Sequence, residues 1–203
     1  MVLALWPLFS IFNQITFNFE TNEYEFILFD DYEYPADIAE KLGVDLIPGI
    51  KYVSQVTGNW AIRFFIAVLM CTPLRILFGW NCGLYLRQAL GIATGFYALL
   101  HFSLFVFSEG FLAIFSKVEL VSGFLALGII VSLMITSNRR SMKLLKSGWK
   151  KLHRFVYLAA AFVLLHVVLL KDNWVLYVCL LAFVFLVRFQ PVRNRIESIR
   201  MKR

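Results

Sequence analysis

ALGIATGFYALLHFSLFVF, residues Ala89 to Phe107, runs for nineteen positions without Asp, Glu, Lys or Arg and carries one histidine, His101. About 17 to 25 consecutive apolar residues cross the hydrocarbon core of a bilayer as a helix, so this stretch reads as a transmembrane helix. In lipid every backbone N–H and C=O must be satisfied within the protein, and a helix does this inside one segment. The histidine is the residue that needs a reason.

Five more runs of the same kind flank it: Val2 to Phe19, interrupted by Asn13 and Gln14; Trp60 to Trp80; Leu120 to Thr136; His153 to Leu170; and Trp174 to Phe189. The first run lacks the basic start and small-residue cleavage site of a signal peptide, and is read as a helix. The 203 residues are 60% apolar and only 16% charged, with a mean hydropathy of +0.73. That composition excludes a water-soluble globular enzyme, and its 21 Phe, 8 Tyr and 5 Trp exclude disorder. The expected fold is all-α, a polytopic membrane bundle of about six transmembrane helices. It divides into residues 1–47, a first helix plus an acidic extracytoplasmic segment; 48–190, the helical core; and 191–203, a basic tail.

Charge sets the orientation. Glu20 to Asn59 holds nine acidic residues against Lys41 and Lys51, whereas the loop after the fourth run holds Arg139, Arg140, Lys143, Lys146, Lys150 and Lys151 with no acid. The tail adds Arg193, Arg195, Arg200, Lys202 and Arg203 against Glu197, and Arg75 and Arg87 flank the turn after the second run. Cytoplasmic loops carry the excess of Lys and Arg. Both termini are therefore expected in the cytoplasm, in a multi-pass membrane protein whose odd-numbered helices run outward. The net charge of +7 then reports topology, and nucleic acid is excluded as a partner in favour of membrane lipid. The acidic stretch Glu20 to Asp45, interleaved with Tyr24, Phe26, Phe29, Tyr32 and Tyr34, is too polar to span and is expected on the outer surface.

Few residues in the spans can carry chemistry. Cys71, Cys82 and Cys179 form no CxxC or zinc-like spacing. Acids are absent from the six runs, which argues against the carboxylate relay of a secondary transporter. His101 and His166 remain, each either a helix-packing donor or a functional group. His101 lies 11 residues beyond Leu90 and His166 lies 13 beyond His153, both on outward-running helices, so at about 1.5 Å per residue they reach similar depth near the outer face. Two imidazoles at one depth on parallel helices suit axial ligation of a haem. Gly91 and Gly95 on the first helix, and Ala159, Ala160 and Ala161 on the second, are expected to leave room for the macrocycle. The third histidine, His153, lies 13 positions before His166, roughly 140° around an ideal helix, and does not share its face.

Three blocks resemble the haem-binding membrane subunit of bacterial periplasmic methionine-sulfoxide reductase systems, the MsrQ or YedZ family of the ferric-reductase-like transmembrane superfamily. They are Thr57 to Phe64 with Thr72-Pro73-Leu74-Arg75; Arg87 to Gly91 with Tyr97 to His101; and Ile135-Thr136-Ser137 through Trp149 to Leu158 and on to His166. The resemblance covers about residues 48 to 190. It implies one b-type haem on His101 and His166. Superfamily members commonly stack two haems, but the position one step before His101 is Arg87 or Gln88, so His153 is left unpaired. It is a candidate ligand of a second haem, or a contact for a quinone or flavin. Arg87 is a candidate for haem propionates or flavin phosphate, and Arg63 for a propionate of the outer haem. Positive-inside topology and snorkelling explain these two arginines equally well.

The resemblance further implies an electron-transfer subunit of an oxidoreductase system. Electrons come from the quinone pool or a cytoplasmic flavin reductase and go to a periplasmic molybdenum-containing subunit that reduces methionine sulfoxide. FMN is a family cofactor, although no GxGxxG motif is visible. The acidic insertion after the first run departs from the family and is a candidate docking segment. The competing readings are a stand-alone ferric-reductase-like cytochrome and a non-redox membrane transporter or assembly protein.

Overall fold

Pro48 and Gly79 bracket the longest helix of the computed structural model, which describes residues 7–8, 15–16, 28–29, 31–33, 46–170 and 174–201. Before that helix the described residues hold two antiparallel pairs of two-residue strands. β1 (Ile15–Thr16) pairs with β2 (Leu28–Phe29), and β3 (Tyr32–Glu33) pairs with β4 (Leu46–Ile47). This corrects one expectation: the run from Val2 to Phe19 reads as a transmembrane helix, yet Ile15 and Thr16 within it pair as a strand. Both are β-branched and follow the polar Asn13-Gln14, a context that favours extended backbone over helix. The remainder of that first span, and most of the acidic segment, lie outside the described residues.

α1 (Gly49–Phe78) has 30 residues, about 45 Å at 1.5 Å per residue. Asp31 Oδ1 accepts a hydrogen bond from the Gly49 N–H at 3.4 Å, one of the donors that a helix start leaves free. Gly79, at φ 74°, closes the far end with its N–H on the Arg75 carbonyl. The helix starts 11 residues before Trp60, where hydropathy alone opens the second span. Packing holds this polar extension: Tyr52 stacks on Tyr32 with centroids 3.9 Å apart, Lys51 pairs with Glu109 at 3.2 Å, and Thr57 is fully buried.

α2 (Leu84–Glu109) returns along α1, and a 3-10 turn over Phe111–Ser116 leads into α3 (Val118–Ile135). The basic loop then forms two short helices, α4 (Arg139–Leu145) and α5 (Ser147–Leu152), the first capped by Asn138 Oδ1 on the Ser141 N–H at 2.8 Å. A 3-10 turn over His153–Phe155 joins α5 to α6 (Val156–Leu170), which packs along α3. α7 (Trp174–Arg188) and α8 (Gln190–Met201) follow, bent by 70° at their junction. Among the described residues four helices are long and apolar enough to cross a membrane: α1, α2, α3 and the continuous Ser147–Leu170. The bent α7–α8 pair makes a fifth if taken as one. The chain is a multi-pass all-α membrane bundle.

α1, α3, α6 and α7 meet in a core of Ile62, Phe65, Ile66, Leu69, Ile130, Ala159, Ala160, Leu181 and Val184. Ala159 and Ala160 are the small residues that let α6 approach its neighbours closely. Pro73, inside α1, has no N–H to give the Leu69 carbonyl one turn earlier. Arg188 fills that gap, with Nη2 donating to Leu69 O at 2.6 Å and Nη1 to Tyr157 Oη at 3.0 Å. One arginine thus joins α1, α6 and α7.

Candidate functional site

His101 on α2 and His166 on α6 meet at the end of the bundle where α1 and α3 begin. Their ring centroids are 6.5 Å apart and their planes cross at 70°. Each is held by its Nδ1. His101 Nδ1 donates to the Ser54 carbonyl at 2.7 Å, with Ser54 Oγ at 3.2 Å, and His166 Nδ1 donates to the Glu119 carbonyl at 2.7 Å. A carbonyl oxygen only accepts, so both protons sit on Nδ1 and each neutral ring keeps its lone pair on Nε2. Orienting a ligand histidine through its second nitrogen is the usual outer-shell arrangement around a metal.

A first-row metal binds imidazole nitrogen at about 2.0 Å, and the ring centroid lies about 1.1 Å behind it, so two trans imidazoles have centroids roughly 6.2 Å apart. The observed 6.5 Å fits. Among the described residues no group of three or more His, Cys, Asp or Glu is placed to hold a metal ion. A haem held between these rings would supply the remaining ligands itself, with His101 and His166 as the residues that would hold its iron. The two histidines open on a cavity of about 820 Å³, in the upper part of the range for cofactor sites, roughly 300–1,000 Å³. It extends along α1 from Tyr52 to Phe65, about 20 Å.

Arg63 lines the same cavity, its guanidinium 4.9 Å from the Trp60 ring centroid. Because α1 begins at Gly49, Arg63 stands 14 residues into its helix, near the middle and not near the outer end where the shorter span would put it. Arg87 and His153 are not brought to this cavity. Arg87 Nη2 approaches the Cys71 carbonyl at 3.5 Å, and its Nε and the neighbouring Gln88 Nε2 are buried without a hydrogen-bond partner among the described residues. His153 lies at the same far end, its Nε2 3.4 Å from Thr136 Oγ1 and its ring 4.0 Å from that of Trp149.

The small residues also divide differently from expectation. Ala159 and Ala160 are buried in the helix core, and a Cβ on Gly95 would run into Met134 of α3. On α6 the cavity reaches to Val163, and on α3 to Ile130. The glycines that do face the histidines are Gly58 and Gly123, which hydropathy scanning passes over.

A repeat marks them. Ser54 and Glu119 are 65 positions apart, as are His101 and His166, and each carbonyl lies 47 positions before its histidine. Thr57 Oγ1 donates to the Ser54 carbonyl at 2.8 Å, and Ser122 Oγ donates to the Glu119 carbonyl at 2.8 Å. The signal is legible as Val56-Thr57-Gly58 with Leu99-Leu100-His101, against Val121-Ser122-Gly123 with Leu164-Leu165-His166. The same 65-residue shift pairs His153 with Gln88.

No family model and no solved structure matches the chain. Among curated proteins it is 36% identical over 162 residues to the protein-methionine-sulfoxide reductase heme-binding subunit MsrQ of Rhizobium meliloti, covering 73% of this chain and 74% of that one. It is 33% identical over 173 residues to the MsrQ of Brucella ovis, covering 79% and 77% respectively. With the MsrQ of Deinococcus radiodurans it shares 36% identity over 124 residues, 58% of this chain and 61% of the relative's length. Similarity at this level over three quarters of a relative's length, on a multi-pass helical bundle, makes this chain a member of the MsrQ family.

Proposed function

We propose that this chain is the membrane haem-b electron-transfer subunit of a protein-methionine-sulfoxide reductase system, with His101 and His166 as the axial ligands of one haem. The observation that carries the reading is the pair of imidazoles, 6.5 Å apart, each fixed through Nδ1 to a backbone carbonyl. A haem held there supplies one-electron chemistry at iron. The chain's own residues do the rest. Ser54 and Glu119 fix the ligand tautomer, residues 48–190 form the low-dielectric shell, and Arg63 offers a cation to a haem carboxylate along the cavity wall.

The orientation follows from charge. The basic α4–α5 segment and the tail face the cytoplasm, both termini are cytoplasmic, and the His101–His166 pair sits near the outer face of a bacterial inner membrane. Electrons enter from the quinone pool or from a cytoplasmic flavin reductase. At the entry end the His153 ring lies 4.0 Å from that of Trp149, and Arg87 and Gln88 carry buried donors; these are the candidate residues for a second haem, a quinone or FMN. Electrons leave to a periplasmic molybdenum-containing subunit that reduces methionine sulfoxide. The acidic stretch Glu20 to Asp45 is the candidate docking segment for such a partner.

The test is reconstitution. Purified chain, loaded with haem and reduced by dithionite, is expected to be re-oxidised when the molybdenum subunit and methionine sulfoxide are both added, and not with either alone. Re-oxidation at the same rate without the partner contradicts the assignment.

A further inference from the structure

Gly58 and Gly123 stand one helical turn after the two carbonyls that hold the histidines. A Cβ on Gly58 would lie 3.1 Å from Cε1 and Nδ1 of His101, and a Cβ on Gly123 would lie 2.8 Å from Nδ1 and 2.9 Å from Cε1 of His166. Both positions are in the interior of a helix, where glycine is a poor helix former and alanine the best, so backbone conformation is not the reason for glycine. Nor is it a general habit of these helices. At Gly91 on α2 and Gly128 on α3, nothing lies within 4 Å of the point where a Cβ would stand.

Two constraints act on each ring. The carbonyl at Ser54 or Glu119 fixes where Nδ1 sits, and the bare helix surface at Gly58 or Gly123 fixes how far the ring swings about that hydrogen bond. Together they determine the ring plane, and applied at both members of the repeat they determine the angle between planes, 70°. We propose that Gly58 and Gly123 are positioning residues that set the crossing of the two haem-ligand planes, an inference that rests on the haem assignment above. In a low-spin ferric haem held there, crossed imidazoles would donate into different d orbitals and leave them nearly degenerate, so the two glycines would tune the ligand-field asymmetry and the reduction potential of an iron they do not touch.

The experiment compares haem-loaded wild-type chain with Gly58→Ala, Gly123→Ala, Gly91→Ala and Gly128→Ala by low-temperature electron paramagnetic resonance, redox titration and haem per chain. Gly91→Ala and Gly128→Ala are expected to reproduce the wild-type largest g value and midpoint potential. Gly58→Ala shifts both. Gly123→Ala, with the closer approach, shifts them further and weakens haem retention roughly 10-fold or more, the size of losing an outer-shell orienting contact. If Gly123→Ala yields no loaded protein, Gly58→Ala, with more room, supplies the reading. Wild-type spectra and potentials in both Gly58→Ala and Gly123→Ala overturn the glycine inference while leaving the haem assignment standing. A wild-type chain that binds no haem under adequate supply overturns both.

Discussion

His101 and His166 face each other with ring centroids 6.5 Å apart, and each donates its Nδ1 proton to a carbonyl 47 positions earlier in the chain. Identical spacing follows from the α1–α2 and α3–α6 pairs carrying the same device: an anchoring carbonyl, a Thr or Ser hydroxyl three residues on, a glycine four residues on, and a histidine on the returning helix. One constellation built twice brings two imidazoles, each fixed through Nδ1, to within 6.5 Å of each other.

Arg188 is expected to matter more than its place at the end of α7 suggests. Arg188→Ala leaves the Leu69 carbonyl, already without an α-helical partner because of Pro73, unsatisfied in the bundle, at a cost of about 1–3 kcal/mol. Pro73→Ala restores the missing N–H. A double-mutant cycle by thermal unfolding in detergent should therefore show Arg188→Ala to be less costly in the Pro73→Ala background, and additive effects would refute the link.

Lys51 and Glu109 form an ion pair at 3.2 Å between the ends of α1 and α2, with both side chains about half exposed. Such a pair is worth at most about 1 kcal/mol and is screened by salt. Glu109→Gln should lower stability by no more than that at low ionic strength and by nothing measurable at high ionic strength. A larger, salt-independent loss would show that packing of the extended α1 depends on this pair.

His153→Ala separates the two ends of the molecule. His153 is 13 positions from His166, about 20 Å along the helix, and packs against Trp149 and Thr136. The substitution should cost roughly 0.5–3 kcal/mol of stability and leave the absorption bands of the His101–His166 site in place. A fall in haem per chain with those bands retained would assign a further haem to His153, and loss of all haem would contradict the separation.

Runs of apolar residues mark five of the helices in the sequence because lipid demands that composition whatever the packing, and the matched depth of His101 and His166 follows from helical rise alone. Hydropathy misses residues 49–59, because this polar start of the helix is packed by protein, with Tyr52 on Tyr32 and Thr57 buried. It misplaces the small residues for a related reason: Gly95 and Ala159 look as suited to a cofactor as Gly58 and Gly123, and only the tertiary positions of Met134 and the two histidines tell them apart. The repeat is present in the sequence, but it is carried by a few residues at a 65-residue shift, and its meaning lies in backbone carbonyls that no residue code records. The pairing of Arg188 with Leu69 is likewise invisible until Pro73 is placed inside a helix.

Whether one haem iron is bound between His101 and His166 is decided by the oxidised and dithionite-reduced absorption spectrum of the detergent-purified chain. It is taken for wild type, His101→Ala and His166→Ala after expression with ample haem. Low-spin bis-imidazole bands are expected in the wild type and are expected to disappear in both variants. A wild type without haem bands, or bands that survive either substitution, would refute the assignment.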